Sequence, residues 1–440
     1  MVGVENLLVY WRKGRKFMET VRISDSCWMI YGAGGFSGRL IAEEAVRRGH
    51  RPILAGRRAK TVVPVAEKLR CPYRVFPSDG PEKISPHIDG IQLLLNCAGP
   101  FSQTARPVVT ACLQKKVHYL DINGEHMVIH ELVGFHEMAR ANGVVILPAV
   151  GFGVVPSDCL AAKLANRHPE ANVLRVAFTA DRTTSKGTAK SMWEGAIHGC
   201  FIRLNGRLVK IPLGRLVWNV PFPSGDKLGV GVPWADIETA YYSTKIPNIV
   251  TYAAFPPVLV GLLRLWHRLS RPSNAPDLPV GTEVLCPQNP EESTGARLAV
   301  GGSAPRTCSN RPEAAHVGVP SGLADEESFD EAHPSNPPRL TFAGRFIRNL
   351  GWVVIDLFFR NPKPAEISEA KAEFYAEVSR EGKVLGRLAL QTPGGYRLTV
   401  DTALKAVESV LTASPPPGFH TPATAFGEDF ILKIPSTTLA

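Results

Sequence analysis

The stretch Cys27-Trp28-Met29-Ile30-Tyr31-Gly32-Ala33-Gly34-Gly35-Phe36-Ser37-Gly38-Arg39-Leu40-Ile41 decides how this chain folds. Its first five residues form an apolar run of strand length, and Ser37 to Arg48 carries Leu40, Ile41 and Ala45 at helical spacing. Between them lies a glycine-rich turn. As G-x-x-G-x-x-G it fits through Gly32, Gly35 and Gly38; as G-x-G-x-x-G it has Ser37 where the third glycine would stand. Either register permits a tight strand-to-helix turn and lets the backbone approach a pyrophosphate held at the helix N-terminus. Gly32, Gly34, Gly35, Phe36, Ser37 and Gly38 are therefore candidate dinucleotide contacts.

Working outward, the second strand, Pro52 to Ala55, runs into Gly56-Arg57-Arg58. An NAD-binding turn offers an acid to the ribose 2′-hydroxyl about 20 residues past the glycines. Here arginines stand in its place, and they suit a 2′-phosphate through charge-assisted bonds, so NADPH is favoured over NADH. A further strand, Ile91 to Asn96, ends in Asn96-Cys97-Ala98-Gly99-Pro100, small residues where the nicotinamide half of the dinucleotide would cross the sheet edge. Cys97 has no activating partner in the pattern and reads as packing.

The alternation then continues with a helix through Val108 to Leu113, a strand at Val117 to Ile122, a helix through Glu125 to Arg140 and a strand at Val144 to Ala149. Such βαβ order predicts an α/β fold opening with a Rossmann-like, doubly wound parallel sheet over residues 25–170. After residue 171 the pattern changes to longer strands, beginning at Asn172 to Ala180, and to a hairpin of Lys371 to Ser379 and Lys383 to Gln391 around Glu381-Gly382. This predicts an inserted α+β second domain over 171–400. The last helical stretch, Asp401 to Leu411, shows Ala403, Leu404, Val407 and Leu411 on one face, which makes 401–440 a return to the first domain through a C-terminal helix.

Composition bounds the rest. The 440 residues, 44% hydrophobic and 20% charged, exclude a lone small module or a disulfide-stapled scaffold. Eight scattered cysteines without a C-x-x-C predict a reducing compartment and no metal site. The net charge of +10 is uneven: residues 272–338 hold three Arg against ten acids, or −7, so the remainder carries +17. That segment also has 11 prolines and one aromatic, Phe329, and is expected to be a disordered insertion.

Residues 1–24 form a basic extension without the aromatic-interleaved second block of a nucleic-acid binder, so no nucleic-acid partner is expected. With no export signal or membrane-spanning run, the expected location is cytoplasmic. Two apolar runs, Val258 to Trp266 and Leu350 to Phe359, support an alternative: a peripheral membrane protein that keeps the dinucleotide site without catalysis. Ordinary packing is the preferred reading of both.

Three strings, YGAGGFSGRLIAEEAVRRG with ILAGRR, NCAGPFSQTARPVVTACLQKKVHYLDINGE, and GFGVVPSDCLA, resemble the saccharopine dehydrogenase-like oxidoreductases. Within them the chain looks closest to the small trans-acting enoyl reductase branch, which has Thr at Gly34 and usually GFDSVPSD where this chain has Gly153 and Val154. Later matches are Thr239 to Asn248, Gly394 to Leu411 and Pro416 to Leu432.

The resemblance implies reduction of a carbon-carbon double bond on a polyketide- or fatty-acyl-type substrate, small or carrier-bound, in lipid or secondary-metabolite biosynthesis. Saccharopine-type imine chemistry is the other branch. Such a reduction needs a fixed nicotinamide, a donor to the substrate carbonyl and a proton source. Tyr119, Asp121, Tyr242 and Ser243 are the candidate donors, although Asp121 and Ser157 could equally cap helices. Arg182, Lys186 and Lys190 are candidates for an anionic group, with a solvated basic face as the alternative. The absence of an acid at Gly153 sets any substrate role of that loop in doubt.

Overall fold

The computed structural model describes residues 28–179, 199–258 and 361–440, with Ala189, Val260, Gly261 and Trp352 singly. The basic extension, the 272–338 insertion, Arg182, Lys186, Lys190 and most of the two apolar runs lie outside the described residues.

The first sheet is all parallel and ordered β15-β6-β5-β4-β1-β2-β3. Its strands are β1 (Trp28–Tyr31), β2 (Ile53–Gly56), β3 (Tyr73–Val75), β4 (Leu93–Asn96), β5 (His118–Asp121), β6 (Val145–Leu147) and β15 (Gly418–Phe419). Helices cover both faces, so alternate side chains of one strand enter different cores: Trp28 and Ile30 pack on one side of β1, Met29 and Tyr31 on the other. This two-sided burial is why these strands read as unbroken apolar runs.

The helices of this half are α1 (Phe36–Arg47), α2 (Ala59–Leu69), α3 (Pro81–Ile84), α4 (Phe101–Lys115), α5 (His126–Val133), α6 (His136–Asn142) and α7 (Val155–Arg167). The single helix expected over Glu125 to Arg140 is two, because the chain turns at Gly134, whose N–H bonds the Glu131 carbonyl. The order reverses between β1 and β4, which opens a crevice at the strands' carboxyl ends, where dinucleotides bind in such sheets.

The second sheet has nine strands among the described residues. Its main path is β10 (Val217–Phe222), β11 (Gly225–Gly231), β12 (Asn248–Ala254), β7 (Val173–Thr179), β13 (Lys371–Arg380), β14 (Lys383–Pro393) and β16 (Thr438–Leu439), with β8 (Cys200–Leu204) on β12 and β9 (Arg207–Ile211) on β8. Among its described strands only β12 and β7 pair in parallel. The hairpin of β13 and β14 turns at Glu381-Gly382, both at positive φ, as its sequence predicted.

Later helices of the described chain are α8 (Asp236–Thr244), α9 (Pro364–Glu369), α10 (Gly395–Thr412) and α11 (Pro422–Phe426). The return helix α10 starts six residues before the expected Asp401 and packs on α1. Its buried Leu404 and Val407 each contribute about 1.5–3 kcal/mol of apolar burial. A cluster of charges fixes its rotation: Asp401 accepts from Arg397 at 2.7 Å and from Arg48 of α1's end. Burial would raise the neighbouring Glu44 carboxyl, but bonds from Arg47 and Arg48 prevail and hold it down at about 2. The tail is shared between the sheets, since β15 joins β6 while β16 pairs with β14, so 401–440 is not wholly a return to the first.

Candidate functional site

The glycine turn is built by packing as much as by the need to bend. Gly32 has φ +89°, and a Cβ there would sit 2.8 Å from the Ala98 nitrogen. A Cβ on Gly38 would run into the Gly32 carbonyl. These two glycines therefore close the turn on itself and on the loop after β4. Gly35 differs: it is exposed, caps α1 without a side-chain bond, and a Cβ there would meet only the Gly32 oxygen, at 3.2 Å. At Gly34 a Cβ would come within 2.7 Å of Thr61 in α2, so α2 lies too close for the Thr that the resembling branch carries.

The residues present fit a dinucleotide. A helix leaves its first N–H groups without intrahelical partners, and among the described residues no side chain caps α1. A cavity of about 110 Å³ lies there, lined by Gly34, Gly35, Phe36, Arg39 and Asn361. At the end of β2, Arg57 and Arg58 are exposed, and among the described residues neither forms an ion pair.

After β4 a hydrogen-bond network fixes the loop beside the turn. Asn96 is fully buried; its Oδ1 accepts from the Ala98 N–H at 3.0 Å, and its amide donates to Thr104 and Tyr119. Cys97, Ala98, Gly99 and Pro100 follow, with a cis bond between the last two. Burial pushes the Cys97 thiol well above its ordinary range, in keeping with packing. Glu125 then locks α4 by accepting from the Phe101 and Ser102 N–H groups, each at 3.0 Å.

The four candidate donors separate into two pairs. Tyr119 and Asp121 are both fully buried: Tyr119 donates to Asp121 at 2.8 Å, and Asp121 accepts from the Asn123 and Ala149 N–H groups. Burial pushes Asp121 up to about 6 against these bonds. Their polar atoms are spent on holding the ends of β5 and β6, so the geometry does not present them to a substrate.

Tyr242 and Ser243 sit on α8, partly exposed, and they too are engaged. Tyr242 donates to the Phe419 carbonyl at 3.1 Å, and Ser243 donates to Asp158 at 2.7 Å. Ser157, also buried, donates to the Val154 carbonyl within the turn that starts α7.

Residues 28–147 match the family model described as saccharopine dehydrogenase NADP binding domain. Over those residues the chain is similar to saccharopine dehydrogenase NADP-binding domains. The match favours NADP(H), in agreement with the arginines after β2.

A "Putative trans-acting enoyl reductase" of Mycobacterium tuberculosis is 33% identical over 138 residues, 30% of this chain and 33% of its own length. A "Trans-acting enoyl reductase" of Mycobacterium ulcerans is 31% identical over 150 residues, 32% of this chain and 36% of its own. The matched part thus spans about a third of these curated relatives. The apo saccharopine dehydrogenase (L-Glu forming) of Saccharomyces cerevisiae shares the fold over 94% of this chain and 99% of its own, with TM-score 0.54 and 10% identity.

Beyond residues 28–147 lies a residue that sequence reading missed. Trp234, just before α8, donates from Nε1 to the Gly153 carbonyl at 2.5 Å. Its ring lies 3.3 Å from where a Cβ on Gly153 would be and 3.8 Å from one on Gly124, and it meets the Phe178 ring at 4.9 Å. The indole fills the space that an acid at Gly153 would occupy. Among the described residues no group of three His, Cys, Asp or Glu could hold a metal, and no helix is long and apolar enough to cross a membrane.

Proposed function

We propose that this protein is an NADPH-dependent oxidoreductase that reduces the carbon-carbon double bond of an acyl substrate, presented as a thioester and carried to the enzyme in trans. The observation that carries this reading is the 31–33% identity, over about a third of this chain, to curated trans-acting enoyl reductases, supported by Arg57 and Arg58 at the 2′-phosphate position, which form no ion pair among the described residues. When bound, NADPH supplies the hydride.

The chain's own residues divide the remaining work. Gly35, Phe36, Ser37 and the open end of α1 receive the pyrophosphate, with Gly32, Gly34 and Gly38 shaping the turn. Asn96, Glu125, Tyr119 and Asp121 act as positioning residues, holding Cys97 to Pro100 as a firm wall for the nicotinamide. Trp234 and Phe152 add an apolar surface at the same sheet edge, which suits an acyl chain and excludes water. Tyr242 and Ser243, the two partly exposed hydroxyls, are the proposed proton donors; to serve, each would exchange its present acceptor for a substrate oxygen.

The test is NADPH oxidation measured against 2-enoyl thioesters on coenzyme A and on an acyl carrier protein, beside cyclic and open-chain imines of amino acids. Turnover of the enoyl thioesters alone is the expected result. Turnover of the imines alone would move the protein to the saccharopine-type reaction, and tight NADPH binding with no turnover of either would support the non-catalytic reading.

A further inference from the structure

The cavity at the start of α1 is not made by the nucleotide-binding domain alone. Four of its lining residues belong to the glycine turn and α1, but Asn361 comes from the chain just ahead of α9, more than 300 positions later. A second contact brings the same distant unit to this place: the Tyr396 ring, at the start of α10, meets Phe36 edge to face with centroids 4.9 Å apart and planes at 80°. Helices α9 and α10 also pack on each other, and the Gly394 N–H just before α10 donates to the Ala370 carbonyl at the end of α9 at 2.7 Å.

Arg39 and Asn361 face this cavity of about 110 Å³, several times the volume that one water needs. Both are exposed, and among the described residues neither side chain has a hydrogen-bond or ion-pair partner. A guanidinium and a carboxamide beside the open end of a helix form a donor set for phosphate oxygens.

We propose that Arg39 and Asn361 bind the pyrophosphate of the dinucleotide from opposite sides, so that the cofactor ties the α9–α10 unit to the glycine turn. This rests on the NADPH reading above. Asn361 then serves as a cofactor-binding residue supplied by the far end of the chain, and the cofactor's grip depends on how α10 docks on α1.

The experiment titrates three ligands with the unmodified protein, Arg39→Gln and Asn361→Ala: NADPH by its fluorescence, and 2′,5′-ADP and 2′-AMP by calorimetry. The 5′-phosphate of 2′,5′-ADP stands for half of the pyrophosphate, which 2′-AMP lacks. Each variant should bind NADPH and 2′,5′-ADP about tenfold or more weakly, the size of one lost charge-assisted bond, and should bind 2′-AMP as the unmodified protein does. Both replacements are on exposed side chains, so the thermal midpoint without ligand should stay in place while the rise on adding NADPH shrinks.

Unchanged NADPH affinity in both variants would overturn the inference, as would an equal loss for all three ligands. An unmodified protein that binds no NADPH would remove the proposed function itself, whereas binding that the variants match would remove only this pyrophosphate clamp.

Discussion

Ser243 donates a 2.7 Å hydrogen bond to Asp158, joining the last turn of α8 to the first turn of α7. The other oxygen of Asp158 accepts from the Ala423 N–H in α11 at 2.8 Å, so one carboxyl ties three helices. A second acid, Asp236, is buried beside Ser157 and Asp158. Burial pushes Asp158 up to about 6; it pushes Asp236 up to about 8, reinforced by the Asp158 charge.

Both carboxyls titrate higher in the folded chain than the ordinary value of about 4. Their contribution to stability is therefore full below pH 4 and is lost as pH rises toward 8, because the unfolded chain ionises first. Thermal midpoints measured from pH 5 to pH 8 should fall in the unmodified protein and fall less in Asp236→Asn. Identical slopes in the two proteins would show that Asp236 keeps an ordinary pKa.

Replacing Arg57 with Asp should move cofactor preference toward NADH. Each lost charge-assisted bond is worth about 1.5–3 kcal/mol, so the ratio of NADPH to NADH affinity should drop by about tenfold or more. The two dissociation constants, taken by fluorescence titration, decide it. An unmodified protein with equal affinities would already contradict the role given to Arg57 and Arg58.

The glycines of the turn should part company on substitution. Gly35→Val should keep its circular dichroism and lose NADPH binding, since Gly35 is exposed and its Cβ meets little besides the Gly32 oxygen. Gly32→Ala should instead lower the thermal midpoint, through its positive φ and the approach to Ala98. Micromolar NADPH affinity retained in Gly35→Val would make the turn purely structural.

Glu125→Ala removes both acceptors at the start of α4. A lost N-terminal cap costs about 0.5–2 kcal/mol, so the variant should unfold several degrees earlier and bind NADPH more weakly through a loosened Cys97 to Pro100 loop. Conservative Glu125→Gln retains one acceptor oxygen and should recover part of both. If Glu125→Ala leaves stability and binding as they were, the cap does not hold that loop.

Much of the first sheet was legible because parallel strands covered on both faces spell continuous apolar runs, as in Leu93-Leu94-Leu95. The neighbouring α2 and β3 escaped notice for local reasons. Pro64 interrupts the helical pattern of α2, and β3 is a three-residue edge strand with Tyr73 and Val75 exposed.

At the site, the glycines and arginines were legible because their chemistry is carried by residue type within a short stretch. The direction of a side chain is not carried in that way. Tyr119 and Asp121 stand at the right sheet edge yet turn inward to Asn96 and Ala149, and only the fold reveals it. The Trp234 bond to Gly153 and the Glu125 cap link residues 81 and 24 positions apart, with no repeat or spacing to announce them.

The place of β15 at the edge of the first sheet has a consequence for how the protein is made. Gly418-Phe419 lies beside β6 in parallel register, some 270 positions after it, and the β6 edge stays bare until those residues have been synthesised. The same holds for the face of α1 that awaits α10. A nascent chain halted after α7 would expose an unpaired strand and an apolar helix face together, a hazard for aggregation. Completion of the nucleotide-binding half is therefore a late event in the life of the chain, set by the distance to its far end.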